Sequence, residues 1–212
     1  MDARPRLIEN HDDLDEGLDH LCQIEPGFIR ARDICSPLDL RRHDDGFERL
    51  LAAIVSQQLS VAAARTIWQR VVDAGITTPS AIDAAKDDVL RKLGLSKQKV
   101  SYARSLAAAN IDFDALRQMD SQDVIDTLVQ VKGVGVWTAE IYAMFSLGHA
   151  DVFAHNDLAL QEGTKLLFDL EHRPTLKEMR TIASQWQPWR AVAARLLWAY
   201  YGHCKSRPGV NA

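Results

Sequence analysis

Cysteine is scarce in this chain: Cys22, Cys35 and Cys204 are the only three in 212 residues. They are too few and too scattered for a disulfide framework, and no pair has zinc-ligand spacing, so a reducing compartment fits and no catalytic metal is expected. Long apolar runs are missing as well. Nothing approaches a membrane span, and Met1-Asp2-Ala3-Arg4-Pro5-Arg6 lacks the apolar core of a signal peptide, so the expectation is a cytoplasmic protein that makes no membrane contact. Period-two alternation is absent too; Asp151-Val152-Phe153-Ala154 is too short to count as a strand. There is no low-complexity tract and no strong internal repeat.

Carboxylates are missing from particular stretches. The net charge of −4 runs against phosphate binding, which is driven by counterion release. Yet residues 1–20 hold Asp2, Glu9, Asp12, Asp13, Asp15, Glu16 and Asp19 against only Arg4 and Arg6, which reads as an outward, solvated acidic face. From Met179 onward there is no Asp or Glu, while Arg180, Arg190, Arg195, Lys205 and Arg207 are basic. The stretch carrying Arg91, Lys92, Lys97, Lys99 and Arg104 is likewise free of carboxylates. Either basic segment could face a phosphate backbone, or be an ordinary solvated helix face.

What is present is helical periodicity. Phe47, Leu50, Leu51, Ile54 and Val55 follow the i, i+3, i+4, i+7, i+8 stripe, and an alanine-rich helix through Ala64 and Ile67 to Val72 follows a break near Gln58-Leu59-Ser60. Further helices are expected at 80–85, 87–93, 97–109, 113–117, 121–131, 136–146, 157–169, 175–186 and 188–202. Ser36-Pro37, Gly75 through Pro79, Gly94, Gly133 with Gly135, Gly148, Pro174 and Pro188 mark the breaks. The class is all-α, and 47% hydrophobic residues suffice for one domain or two small ones.

The motif that carries most information is Val131-Lys132-Gly133-Val134-Gly135-Val136-Trp137-Thr138-Ala139, followed by Asp151-Val152-Phe153-Ala154-His155-Asn156-Asp157. Val124, Ile125, Leu128 and Val129 give the helix before the turn an apolar stripe; Ile141, Met144 and Phe145 give one to the helix after it. Gly133 and Gly135 permit positive φ and close approach of a backbone, so that N–H groups at the start of the second helix can point at a phosphate oxygen. Taken alone, such turns are common, and Asp157 reads equally as a plain N-cap.

Four segments in order make the pattern specific: Ser56-Gln57-Gln58-Leu59-Ser60-Val61, the Gly94 turn before Lys99, the hairpin with Asp157, and Trp186-Gln187-Pro188-Trp189-Arg190. From about Phe47 to Tyr201 the chain resembles the helix-hairpin-helix DNA glycosylases, and within them the 3-methyladenine DNA glycosylase II family in its compact form. The resemblance implies a two-lobed helical bundle without an N-terminal β-domain: 45–147 as one lobe, 1–44 with 148–212 as the other, and the active site in the cleft. It implies damaged duplex DNA as the partner of a monomer, and a monofunctional enzyme of base excision repair that releases alkylated purines.

Roles follow by position. Asp157 matches the catalytic carboxylate that stabilises an oxocarbenium-like sugar; where the family has a further acid just before it, this chain has Asn156. Lys132, Gly133, Val134, Gly135 and Thr138 are the expected DNA-backbone contacts, with a structural monovalent cation on hairpin carbonyls in many members. Gln58 falls on the wedge that fills the gap left by a flipped base, or else bonds a turn backbone; Leu59 is a lesser wedge or core. Trp137 and Trp198 fall on the base pocket, where a cationic purine stacks on indole, though Trp198 in its apolar run reads equally as core. Trp186 and Trp189 read as packing residues. His155 reads as a lesion or phosphate contact or as packing. A family pocket aromatic is replaced by Ile141, with Tyr142 beside it, which leaves the lesion range open. Trp137 stands where lyase relatives carry lysine, so water is the expected nucleophile. Cys204 alone excludes the family's four-cysteine iron–sulfur cluster. Two alternatives remain open: a noncatalytic binder of distorted DNA, and a glycosylase for deaminated or etheno bases.

Overall fold

The computed structural model describes residues 5–206, and Arg207 lies outside them. Among the described residues there are helices and a single antiparallel bridge, Leu7 to His149. Contacts divide the chain into two compact units, Met1–Arg42 with Ala143–Ala212 and, separately, His43–Tyr142. The borders fall a few residues from the expected 45 and 147.

In the first unit, α1 (His11–Ile24) starts on a capping box between Asn10 and Asp13, and α2 (Gly27–Cys35) follows. Such a cap is worth about 1 kcal/mol because it satisfies orphan N–H groups. The expected acidic face is there: Asp12, Asp15, Glu16 and Asp19 are exposed, while Leu14, Leu18 and Leu21 are buried on the other side. After a π-helical turn at Ala143–Leu147, entirely buried, come α11 (Leu158–Leu167), α12 (Leu176–Ser184) and α13 (Arg190–Ser206). α13 is the spine of this unit. Ala191 through Leu197 are all buried, as is Tyr200, because α1, α2 and α11 pack around them. Gly163 brings α11 against the backbone of α13: a methyl group there would come within 2.8 Å of the Leu197 carbonyl oxygen. Phe28, Phe153, Phe168 and Trp186 form an aromatic cluster with centroids 5.3–6.0 Å apart.

In the second unit, α3 (Phe47–Ser56) buries Leu50, Leu51, Ile54 and Val55, each worth roughly 1.5–3 kcal/mol of burial. Around it lie α4 (Val61–Asp73), α5 (Pro79–Ala84), α6 (Asp87–Leu93), α7 (Lys97–Ala108), α8 (Phe113–Leu116), α9 (Ser121–Val129) and α10 (Val136–Tyr142). Ser60, Thr78, Ser96, Asp112 and Asp120 cap five of them. The expected helix 136–146 ends as α-helix at Tyr142, where the π-helical turn takes over. Among the described residues no helix is long and apolar enough to cross a membrane.

Candidate active site

Asp157 caps α11, its Oδ1 accepting the Leu160 N–H at 3.0 Å. That half of its role is the plain N-cap. The same oxygen also accepts Trp198 Nε1–H at 3.1 Å, and the Asp157 N–H donates to the Ala154 carbonyl at 2.9 Å. The carboxylate is thus fixed at a helix N-terminus, where the macrodipole favours negative charge, and oriented by an indole. Gly163 explains the pairing, since it lets α11 lie against the backbone of α13, which carries Trp198. Trp198 is therefore not simple core: it is half-buried, bonded to Asp157, and its ring lies 5.9 Å from that of Phe145. His155 is half-buried with its ring 5.2 Å from Phe153, and Asn156 is exposed. Trp186 and Trp189 are buried, as packing residues should be.

The hairpin divides its labour unevenly. Gly133 has φ +100, and a methyl group there would overlap Tyr102, so its glycine is needed by the fold itself. Gly135, expected to share that positive φ, is not in the left-handed region; it is exposed, with open space where a Cβ would stand. Val134, expected to meet DNA, has a buried side chain, and its N–H already donates to the Val131 carbonyl at 2.9 Å. Lys132 is exposed. Gln57, to which sequence reasoning gave no role, donates from Nε2 to the Gly133 carbonyl at 2.8 Å and ties the α3–α4 turn to the hairpin.

Beside the hairpin, α3 and α10 enclose a cavity of about 540 Å³ lined by Arg49, Leu50, Ala52, Ala53, Ser56, Gln57, Gln58, Trp137, Thr138, Ile141 and Tyr142. Trp137 is 48% exposed. Thr138, expected on the DNA backbone, is in this lining. Gln58 is exposed in a left-handed conformation, φ +55, and Leu59 is 37% exposed, so Leu59 is not core. The Tyr142 hydroxyl accepts the Gly46 N–H at 2.7 Å, and burial pushes its pKa up to about 12. Arg49 was also missed. The sequence carries a signal for it: Arg49, Ala52, Ala53 and Ser56 stand at i, i+3, i+4 and i+7, a second face of α3 with short side chains.

Four residues of the two basic segments are spent inside the protein. Lys99 Nζ donates to the Val55 carbonyl at 2.7 Å, and burial lowers its pKa; Arg104 bonds the Ile82 and Ala85 carbonyls and Asp87. Arg190 grips Asp151 through Nε at 2.6 Å and Nη2 at 3.0 Å. Arg195 is buried, donating to the Ala191 and Met144 carbonyls over the Phe145 ring, and burial with Arg41 and Arg42 nearby brings its pKa down to about 9. A sequence shows the charges but not these internal acceptors. Arg91, Lys92, Lys97, Arg180 and Lys205 do remain exposed.

The site thus joins a glycine hairpin between two helices, an aromatic cavity next to it, and a later helix that opens on an oriented aspartate. Residues 51–188 match the family model described as HhH-GPD superfamily base excision DNA repair protein. DNA-3-methyladenine glycosylase 1 of Schizosaccharomyces pombe is 30% identical over 161 residues, 72% of this chain and 71% of that one. The solved DNA-3-methyladenine glycosidase of Bacillus halodurans superposes with a TM-score of 0.82 at 29% identity, over 96% of this chain and 94% of the other. The S. pombe 3-methyladenine DNA glycosylase solved in complex with abasic DNA gives 0.75 at 27%, over 86% and 95%. The chain belongs to the HhH-GPD superfamily, and within it to the 3-methyladenine DNA glycosylases.

Proposed function

We propose that this protein is a monofunctional DNA glycosylase that extrudes alkylated purines, 3-methyladenine foremost and 7-methylguanine with it, from duplex DNA and leaves an abasic site. The observation that carries the reading is Asp157, held by Leu160 N–H and Trp198 Nε1–H in a chain of this family. Cleavage breaks the C1′–N bond; its electron pair leaves with the base, and the sugar becomes oxocarbenium-like. A fixed carboxylate stabilises that charge, and a water oxygen then bonds C1′ and gives a proton to solvent. A cationic purine stacks on Trp137 and is already a good leaving group, so no strong general acid is required. Gln58, exposed at the α3–α4 turn, is the proposed wedge that replaces the extruded base.

Phosphate anchoring falls to the exposed Lys132 and Gly135 and to the first N–H groups of α10. The hairpin carbonyls are hard oxygen donors of the kind a monovalent cation takes; those of Val131 and Gly133 each accept a hydrogen bond already, so a cation there would share them. No step above depends on it. The protein acts as a monomer, inside the cell, where the DNA is.

Incubation with methylated genomic DNA and mass spectrometry of the freed bases tests the reading: 3-methyladenine should be released, and release of no base at all would overturn it. Borohydride with alkylated duplex should trap no covalent adduct, because tryptophan at 137 cannot form a Schiff base. An adduct lost on replacing Lys132 would replace water by lysine as the nucleophile.

A further inference from the structure

One member of the Trp137 cavity is out of keeping with the rest. Arg49 lines it half-buried, and among the described residues it has no hydrogen-bond or ion-pair partner. Burial by itself lowers its pKa, with no neighbouring charge contributing. Other half-buried or buried arginines behave differently: Arg190 has a carboxylate, and Arg195 and Arg104 have carbonyls. A guanidinium offers five N–H donors and accepts nothing, so leaving it partly desolvated without acceptors is costly unless an acceptor arrives from outside.

Resting on the reading that this cavity takes the extruded base, we propose that Arg49 is a catalytic residue for the leaving group, donating to the acceptor edge of the base as it departs. Charge balance gives it that role. When the C1′–N bond breaks, its electron pair goes to the base, whose charge falls by one: a cationic N-alkylpurine leaves neutral, and a neutral base leaves as an anion that then takes a proton from solvent. A fixed positive charge beside the base therefore opposes the intact cationic nucleotide and favours the departing form in both cases. The donors serve the same end, since base nitrogen and carbonyl atoms become better acceptors as they gain electron density. The alternative acceptor, a DNA phosphate, fits less well. The cavity is walled by the Trp137 ring, Leu50, Ile141 and alanines, which suit a flat heterocycle, and Lys132 and Gly135 lie exposed on the hairpin for phosphate.

The test compares wild type with Arg49→Gln and Arg49→Lys on a duplex carrying one 7-methylguanine. At saturating enzyme the single-turnover release rate of Arg49→Gln should fall roughly ten- to a hundred-fold, with Arg49→Lys in between. Binding measured in an Asp157→Asn background should show the 7-methylguanine duplex held as tightly or more tightly by Arg49→Gln, because a like charge is removed, while abasic and undamaged duplexes are unchanged. A rate within two-fold of wild type overturns the proposal. So does uniform weakening on every duplex, steeper at low salt, which marks a phosphate contact, and so does a fall in Tm of several degrees, which marks a role in the fold. Failure of the glycosylase reading is separate, since it shows as no base release by the wild type itself.

Discussion

The neighbourhoods of Asp157 and of Trp137 are constructed in opposite ways. Around Asp157 the main chain and an indole hold one side chain in place: one oxygen takes two donors, and its own N–H is bonded to the Ala154 carbonyl. Around Trp137 groups are left facing outward: an indole half in solvent, a guanidinium with no acceptor among the described residues, a glutamine in a left-handed turn. A charge that must act at a fixed distance benefits from being locked before the substrate arrives, whereas a cavity that must admit a flat ring has to remain unfilled. The two call for different kinds of mutation.

The largest effect is expected of Asp157→Asn. Asparagine is as good an N-cap, so Tm should hold within a few degrees, while single-turnover base release falls on the order of 10²-fold or more. Near-normal release by the folded variant would mean that the locked carboxylate is only a cap. Next comes Trp137→Ala, expected to weaken binding of a cationic lesion roughly ten-fold through lost stacking, with abasic-site duplex binding nearly intact by fluorescence titration. Equal losses on both duplexes would make Trp137 a backbone contact instead.

The two hairpin glycines separate stability from binding. Gly133→Ala should cost about 1–3 kcal/mol in a denaturant melt, because φ +100 and Tyr102 both oppose a side chain there. Gly135→Ala should fold normally and weaken binding of all duplexes alike, by a few-fold; a loss confined to one lesion would mean the turn reads bases. The smallest effect is in the pH profile of Tyr142. A folded-state pKa raised to about 12 from 10 means that the contribution of the hydroxyl is complete below pH 10 and disappears as pH rises through 12. Tyr142→Phe should flatten alkaline unfolding in that window and lower stability near neutrality by about 1 kcal/mol through the lost Gly46 bond; an unchanged alkaline limb would place the titration elsewhere.

Most helices were legible because periodicity and caps agree: Ser60, Ser96 and Asp120 each precede an apolar stripe. What escaped was set by contacts distant in sequence. Nothing local says that Lys99 spends its ammonium on Val55, that Gln57 bonds the Gly133 carbonyl, or that Arg195 donates to the Met144 carbonyl. Trp198 was ambiguous for the same reason: whether an indole in an apolar run is core or site depends on α11 coming close, and Gly163 decides that. The glycine pair in the hairpin announced a turn, but only the backbone angles separate the residue the fold needs from the one left exposed.

Gln58 has a further consequence. An ordinary L-residue at φ +55 costs about 1 kcal/mol relative to glycine, and Gln58 meets that cost while exposed. A library randomised at this one codon and sorted for folding alone should therefore drift to glycine or asparagine. The same library sorted for survival under an alkylating agent should retain a long side chain, and the gap between the two populations would show how far this turn has been set by work on DNA rather than by the ease of making the protein.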